Sequence, residues 1–186
     1  ASYRRQRQMC IRDSSVPGKY NVYNALAALS VCETMGIDLE SACKALSNFS
    51  GVKRRFDIKA NKDIMIIDDY AHHPVEVQNV IETVKSNWNK NLYVIFQPHL
   101  FSRTKEFYKD FAKALMIADN VMITEIFASR EKEDNSTTSD LIINEMLKLN
   151  HKNVSYVSSK DIVEEVKSKG VKGCLLYTSP SPRDSC

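Results

Sequence analysis

Residues 64–74 read IMIIDDYAHHP. The run 64–67 is apolar throughout and too short for a helix, so it predicts a strand buried on both faces, as in a parallel sheet. Asp68 and Asp69 end the run, and Pro74 suits the first position of a helix, where no amide proton is needed. The stretch therefore predicts strand, loop and helix, with the helix running to about Trp88. The same order repeats downstream: a strand at 92–96, a helix capped by Ser102 to about Ala118, and a strand at 121–124. A helix at 137–149, a strand at 154–157 and a helix at 160–169 follow, while 55–60 predicts a strand just ahead of the first. Strands alternating with helices predict an α/β protein with a doubly wound, mostly parallel sheet.

Upstream the period is different. Ala25, Leu26, Leu29 and Cys32 recur at helical spacing, and Gly36 closes that helix. Asp38 caps a second helix through about Leu46, and Ser50-Gly51 ends the pair. The organisation expected is a tail at 1–14, a small helical piece at 15–50, an α/β domain at 51–173 and a second tail at 174–186. Both tails read as non-native. Residues 1–14 show neither a helical nor a strand period, and residues 174–186 begin like a strand before dissolving into Ser-Pro repeats.

The net charge is +3 over 186 residues. Arg4, Arg5, Arg7 and Arg12 against Asp13 account for it, which leaves residues 15–173 neutral. No nucleic-acid footprint is therefore read. No stretch approaches the roughly eighteen apolar residues of a membrane span, and no apolar run follows the Arg-rich start, so a cytoplasmic location is expected. Cys32 and Cys43 fall in helical patterns without a C-x-x-C pairing and are expected to be reduced, buried thiols.

In an open parallel sheet, ligands bind beyond the carboxyl ends of the strands. Asp69, His72 and His73 follow the first buried strand, and His99 and Arg103 follow the second. Glu125, Arg130 and Glu131 follow the third. Three of the four histidines thus share one rim. Asp69 can accept hydrogen bonds from a sugar hydroxyl pair. His72 and His73 precede a helix N-terminus, which favours anions. Arg103 can grip a carboxylate or phosphate with two donors. Together these suit an anionic, phosphate-bearing ligand. The bland readings are a turn for Asp68-Asp69 and loop filling for His72-His73. A metal site built from Asp69, His72, His73 and His99 is disfavoured, because two of the histidines are adjacent and share no helical face. Neither G-x-G-x-x-G after a strand nor G-x-x-x-x-G-K-[ST] occurs.

Five segments, in order, resemble the Mur ligase family: GKYNVYNALAA (18–28), GVKRRF (51–56), DDYAHHP (68–74), FQPHLFSRT (96–104) and IFASREK (126–132). The resemblance covers residues 15–173 and implies the end of a central ATPase domain followed by a Rossmann-like C-terminal domain. It implies an ATP-dependent ligase of peptidoglycan synthesis that activates UDP-N-acetylmuramate as an acyl phosphate, which L-alanine then attacks. ATP and Mg²⁺ are the implied cofactors, held mainly by the part of the central domain that carries the P-loop, so this chain alone is expected to be inactive. Carried over by position, Asn21 and Asn24 lie near adenine, and Arg55 and Asp69 hold the nucleotide. His72 and Arg103 stand at the reacting groups, and His73 and His99 bind substrate. Two positions depart from the family: Tyr20 stands where His is common, and Leu100 where some members have Arg. The resemblance also implies a last strand that the tail after Gly173 replaces, which is expected to leave an unpaired sheet edge. Two other readings compete: a ligase that recycles a murein tripeptide, and a non-catalytic module binding a nucleotide or sugar phosphate.

Overall fold

Where an apolar pattern changes period, the chain changes architecture. In the computed structural model, which describes residues 16–178, the chain divides into two compact units between Phe56 and Asp57. The first unit holds α1 (Lys19–Thr34) and α2 (Leu39–Ser47). Gly36, at φ 74°, ends α1. The amide of Gly36 donates to the Glu33 carbonyl and that of Ile37 to the Cys32 carbonyl, the paired bonds of a Schellman cap. The Asp38 carboxylate accepts from the Ser41 amide at 2.9 Å, which starts α2 and holds that carboxyl below its usual range. Leu29, Leu39 and Ala42 are buried together. Cys32 is a free, half-buried thiol, whereas Cys43 is disulfide-bonded and departs from the reduced thiol expected there.

The second unit is built on β1 (Asp57–Asn61), β2 (Ile64–Asp69), α3 (Pro74–Asn87), β3 (Leu92–Phe96) and α4 (Phe101–Leu115). It continues through β4 (Asn120–Ile123), α5 (Asp140–Lys148), β5 (Val154–Tyr156), α6 (Ile162–Ser168) and β6 (Gly173–Thr178). The six strands lie in the order β1-β2-β6-β3-β4-β5. The edge strand β1 pairs antiparallel with β2, and every other pairing is parallel. The last strand is therefore present and central, which corrects the expectation of a missing strand and an open edge. Residues 174–178 run between β2 and β3, with Cys174, Leu176 and Thr178 fully buried. Burial pushes the Cys174 thiol up to about 11, so it stays protonated. The expected tail at 1–14 lies outside the described residues, and of the one expected at 174–186 residues 174–178 belong to β6 while 179–186 lie outside them.

Helices cover both faces of the sheet. Leu92, Val94 and Phe96 point to one face, where the Phe96 ring meets Phe111 of α4 at 5.1 Å. Tyr93 and Ile95 point to the other, where Ile162 and Val166 of α6 join Met122, Val157, Leu175 and Tyr177. Each large apolar side chain removed from water in these layers contributes about 1.5–3 kcal/mol. The strand at 64–67 is not equally buried on both faces. Met65 and Ile67 are sealed while Ile64 and Ile66 are half-exposed, because the cluster under the short helix α6 draws on β3, β4 and β6 and not on β2.

Candidate functional site

The carboxyl ends of β2, β3 and β4 bring three loops to one rim, and the first is ordered by its own residues. Asp69 is buried, and its Oδ1 accepts from the Ala71 amide at 2.7 Å, which folds the chain back after β2. The Tyr70 carbonyl receives the His72 Nδ1 proton at 2.8 Å. A carbonyl only accepts, so the neutral ring of His72 carries its proton on Nδ1 and offers its lone pair at Nε2. His73 caps α3, accepting from the Val75 amide at 3.4 Å. Glu76 closes a capping box by taking the amides of His72 and His73 at 3.1 and 3.3 Å. The His73 ring lies 5.3 Å from that of Phe107 on α4, a packing and capping position.

The second loop has no such local cap. Leu100 stands at the N-cap of α4 with φ 70° and makes no side-chain bond to the helix. Ser102, expected to be the cap, lies inside the first turn, because the positive φ of Leu100 starts the helix two residues earlier. Its amide donates to Glu131 Oε2 at 3.1 Å and its hydroxyl donates to Glu131 Oε1. Those two bonds hold the Glu131 carboxyl below its usual range. A parallel bridge joins His99 to Phe127. The Leu100 amide donates to the Phe127 carbonyl at 3.0 Å, the Phe127 amide to the Pro98 carbonyl at 2.8 Å, and the His99 and Phe127 rings stack at 5.8 Å.

These loops bring together His72, His99 and Arg103. The rings of His72 and His99 meet edge to face at 5.7 Å. Arg103 Nη1 donates to His99 Nδ1 at 3.2 Å and reaches the His72 carbonyl at 3.4 Å. The His99 ring therefore accepts at Nδ1 and carries its proton on Nε2. Burial first, then the charge of Arg103, then His72, hold His99 below its ordinary value, so it stays neutral at neutral pH. One guanidinium, one ring donor and one ring acceptor thus face the same rim. This set can hold a carboxylate and accept a proton from a neighbouring amine. The helix N-termini expected to attract an anion are already occupied by Glu76 and Glu131, so Arg103 supplies the cation for such a ligand.

Asn21 and Asn24 lie in the first unit, where Asn21 Nδ2 donates to the Pro17 carbonyl at 2.7 Å and Asn24 Nδ2 to Asn21 Oδ1 at 3.2 Å. Arg55 belongs to the same unit, in a turn closed by its amide on the Val52 carbonyl. Beside β4 and α5, a cavity of about 570 Å³ is lined by Phe101, Glu125, Asp134, Thr137, Asp140 and Tyr156 among others. Three of its carboxylates are held by nearby donors: Glu125 by Ser159, Asp134 by Ser136 and Thr137, and Asp140 by Thr138. Among the described residues no three His, Cys, Asp or Glu side chains are arranged to hold a metal ion. Sequence reasoning gave Glu76 and Glu131 no role. Glu76 stands at the third helical position, where a capping box places its acid, but His73 is not the Ser or Thr of that pattern, and no local pattern signals Glu131.

Residues 54–181 match the family model of the Mur ligase, glutamate ligase domain. A UDP-N-acetylmuramate–L-alanine ligase of Caldanaerobacter subterraneus is 40% identical over 166 residues, which are 88% of this chain and 36% of that protein. One of the same name from Alkaliphilus metalliredigens is 43% identical over 131 residues, 70% of this chain and 28% of that protein. The crystal structure of a UDP-N-acetylmuramate–alanine ligase from Thermotoga maritima is similar at a TM-score of 0.72 and 35% identity, over 89% of this chain and 35% of that one. A murein peptide ligase of Psychrobacter arcticus, 24% identical with a TM-score of 0.65, shares the fold. The chain spans about a third of the length of the curated relatives it matches. With the family's glutamate ligase domain running from residue 54 to 181, the chain belongs to the Mur ligase family.

Proposed function

We propose that this chain is the C-terminal part of an ATP-dependent ligase that joins L-alanine to UDP-N-acetylmuramate in peptidoglycan synthesis, in the cytoplasm. Residues 15–50 close the central ATPase domain, and the C-terminal domain runs from residue 51 through β6, which ends at Thr178. The observation that carries the reading is the rim at which Arg103, His99 and His72 converge. An α-amino acid presents a carboxylate and an amine on one carbon, and the rim offers a guanidinium beside two differently protonated imidazoles. The names shared by the relatives from Caldanaerobacter subterraneus and Alkaliphilus metalliredigens support alanine as the amino acid.

In the reaction proposed, the UDP-N-acetylmuramate carboxylate attacks the γ-phosphorus of ATP, giving an acyl phosphate and ADP. The alanine amine adds to the acyl carbon, phosphate leaves, and an amide forms. Arg103 holds an anionic group of the reacting pair, and His72 Nε2 accepts a proton as the amine attacks. His99 donates from Nε2, and His73 supports the substrate pocket through its cap on α3. Asn21 and Asn24 belong beside the adenine, and Arg55 and Asp69 beside the rest of the nucleotide. Asp69 also has a turn-forming role, with Oδ1 committed to the Ala71 amide. Mg²⁺ would neutralise the phosphates when bound. Its ligands are expected mainly from the part of the central domain that carries the P-loop.

The test is alanine-dependent phosphate release by the complete ligase that contains this chain. Arg103→Ala should lower kcat/KM by about 100-fold with little change in the thermal midpoint. Activity near wild type would remove Arg103 from the reaction, and a murein tripeptide preferred over alanine would overturn the choice of substrate.

A further inference from the structure

The helix that carries Arg103 begins without a cap of its own. Four amides at a helix start have no partner within the helix, and at α4 neither Leu100 nor any acidic residue of the first turn serves them. Leu100 is also held at φ 70°, a conformation that branched side chains rarely adopt, so the surroundings must enforce it. The enforcing segment is 125–131. It is bridged to the β3–α4 loop at His99 and Phe127, and it turns back through Ser129 at φ 53°, with the Glu131 amide on the Ala128 carbonyl at 3.0 Å. That turn aims the Glu131 carboxylate at the open end of α4, where it accepts both the amide and the hydroxyl of Ser102. A negative charge is favoured at that end of a helix.

We propose that Glu131 is a positioning residue, which through Ser102 fixes the first turn of α4 and thereby sets Arg103 against His99 and His72. Resting on the function proposed above, this assigns the third loop, whose Phe127 ring stacks on His99, a task in the reaction. Arg103 follows Ser102 directly, and its guanidinium must stay within hydrogen-bond reach of His99 Nδ1, 3.2 Å away. A first turn free to shift by an ångström would lose that contact.

The experiment uses the complete ligase with Glu131→Ala, Glu131→Gln, Ser102→Ala and Arg103→Ala, read by kinetics and by ¹⁵N NMR of the His99 ring. Glu131→Ala should lower kcat/KM for alanine about 10-fold or more, leave KM for ATP within about twofold, and keep the fold. Glu131→Gln retains an acceptor oxygen and should recover most of the loss, to within about threefold of wild type. Ser102→Ala, which keeps the amide bond, should fall between the two. In wild type the His99 nitrogens should report one tautomer, protonated at Nε2; Glu131→Ala should convert it to a mixture as Arg103 loosens. Wild-type-like alanine kinetics in Glu131→Ala, or a loss that leaves the His99 tautomer unchanged, overturns the proposal. Impairment by Arg103→Ala with none by Glu131→Ala defeats the positioning role alone. Absence of alanine-dependent activity in the wild-type ligase defeats the functional reading, while the His99 signal still decides whether Glu131 orients the pair.

Discussion

The β2–α3 and β3–α4 loops do the same job by different means. Each leaves the carboxyl end of a buried strand, turns sharply and enters a helix, and each delivers a histidine to the rim. The first is secured within eight residues, 69–76: Asp69 on Ala71, His73 on Val75, and Glu76 on the amides of His72 and His73. The second is secured from 29 residues away, by Glu131 on Ser102, with Phe127 bridged alongside. A self-capped loop keeps its shape as long as its own helix stands. A loop capped from elsewhere keeps its shape only while a third segment stays in register. The difference places the tunable part of the site on the Arg103 side.

The two loops do not share a strand pairing, since β6 lies between β2 and β3. Breaking β6 should therefore disturb both at once, and this is the largest effect expected. Gly173 has φ 119°, and a Cβ there would stand 2.4 Å from the Asn91 carbonyl oxygen, which is backbone and cannot rotate away. Gly173→Ala should cost about 3–5 kcal/mol and lower the thermal midpoint by about 10 °C, or prevent folding. Gly170→Ala is the control, because its φ is 54° with nothing within 4 Å of a Cβ; about 1 kcal/mol is expected from backbone strain alone. Melting by far-UV circular dichroism separates the two. If both variants melt together, the strand 173–178 does not bear on the fold as its central place implies.

What was legible in the sequence follows the same division between local and distant causes. The strand at 92–96 and the helix starting at Pro74 agree with the structure because their signals are local: an apolar run, and a proline at the first helical position. The convergence of His72, His99 and Arg103 was legible through topology, since parallel strands put their carboxyl ends on one side. The central strand β6 was not legible. The apolar stretch at 174–177 runs at once into Ser-Pro repeats, and composition alone does not reveal that two neighbouring strands leave a gap for it. Nor was the capping of α4 legible: Ser102 has the chemistry of an N-cap, but the positive φ at Leu100 shifts the helix start, and the true cap is distant in sequence. The domain junction is a smaller case. A turn at Ser50-Gly51 suggested it, while the compact units divide after Phe56.

A second way to break the comparison is to remove the local cap. Glu76→Ala takes away the acceptor for two amides at the start of α3, a loss of about 1 kcal/mol and about 3 °C in thermal midpoint. The damage should stay on its own side. The His72 amide signals should shift in NMR spectra, while Ser102 and the Arg103–His99 contact remain as in wild type. A variant that moves the signals of both loops equally would show that the two are one cooperative unit, and the contrast between them would fail.

The smallest effect expected is a pH dependence located on the second loop. His99 is held below its ordinary 6.5 by burial, then by Arg103, then by His72, with Glu131 acting weakly in the opposite sense. The folded state therefore binds the proton less readily than the unfolded chain. Well above pH 6.5 neither state is protonated there and the contribution is fully present. As pH falls below 6.5 the unfolded chain takes up the proton first, so stability declines until the lower folded value is passed and then levels off. The half-exposed ring and its screened partners keep the size modest. Denaturant unfolding of wild type and His99→Gln between pH 8 and about 5 should diverge only in the acid half of that range, with the wild type losing stability faster. Parallel curves would mean that His99 does not resist protonation in the folded state, and that Arg103 is not held against its Nδ1.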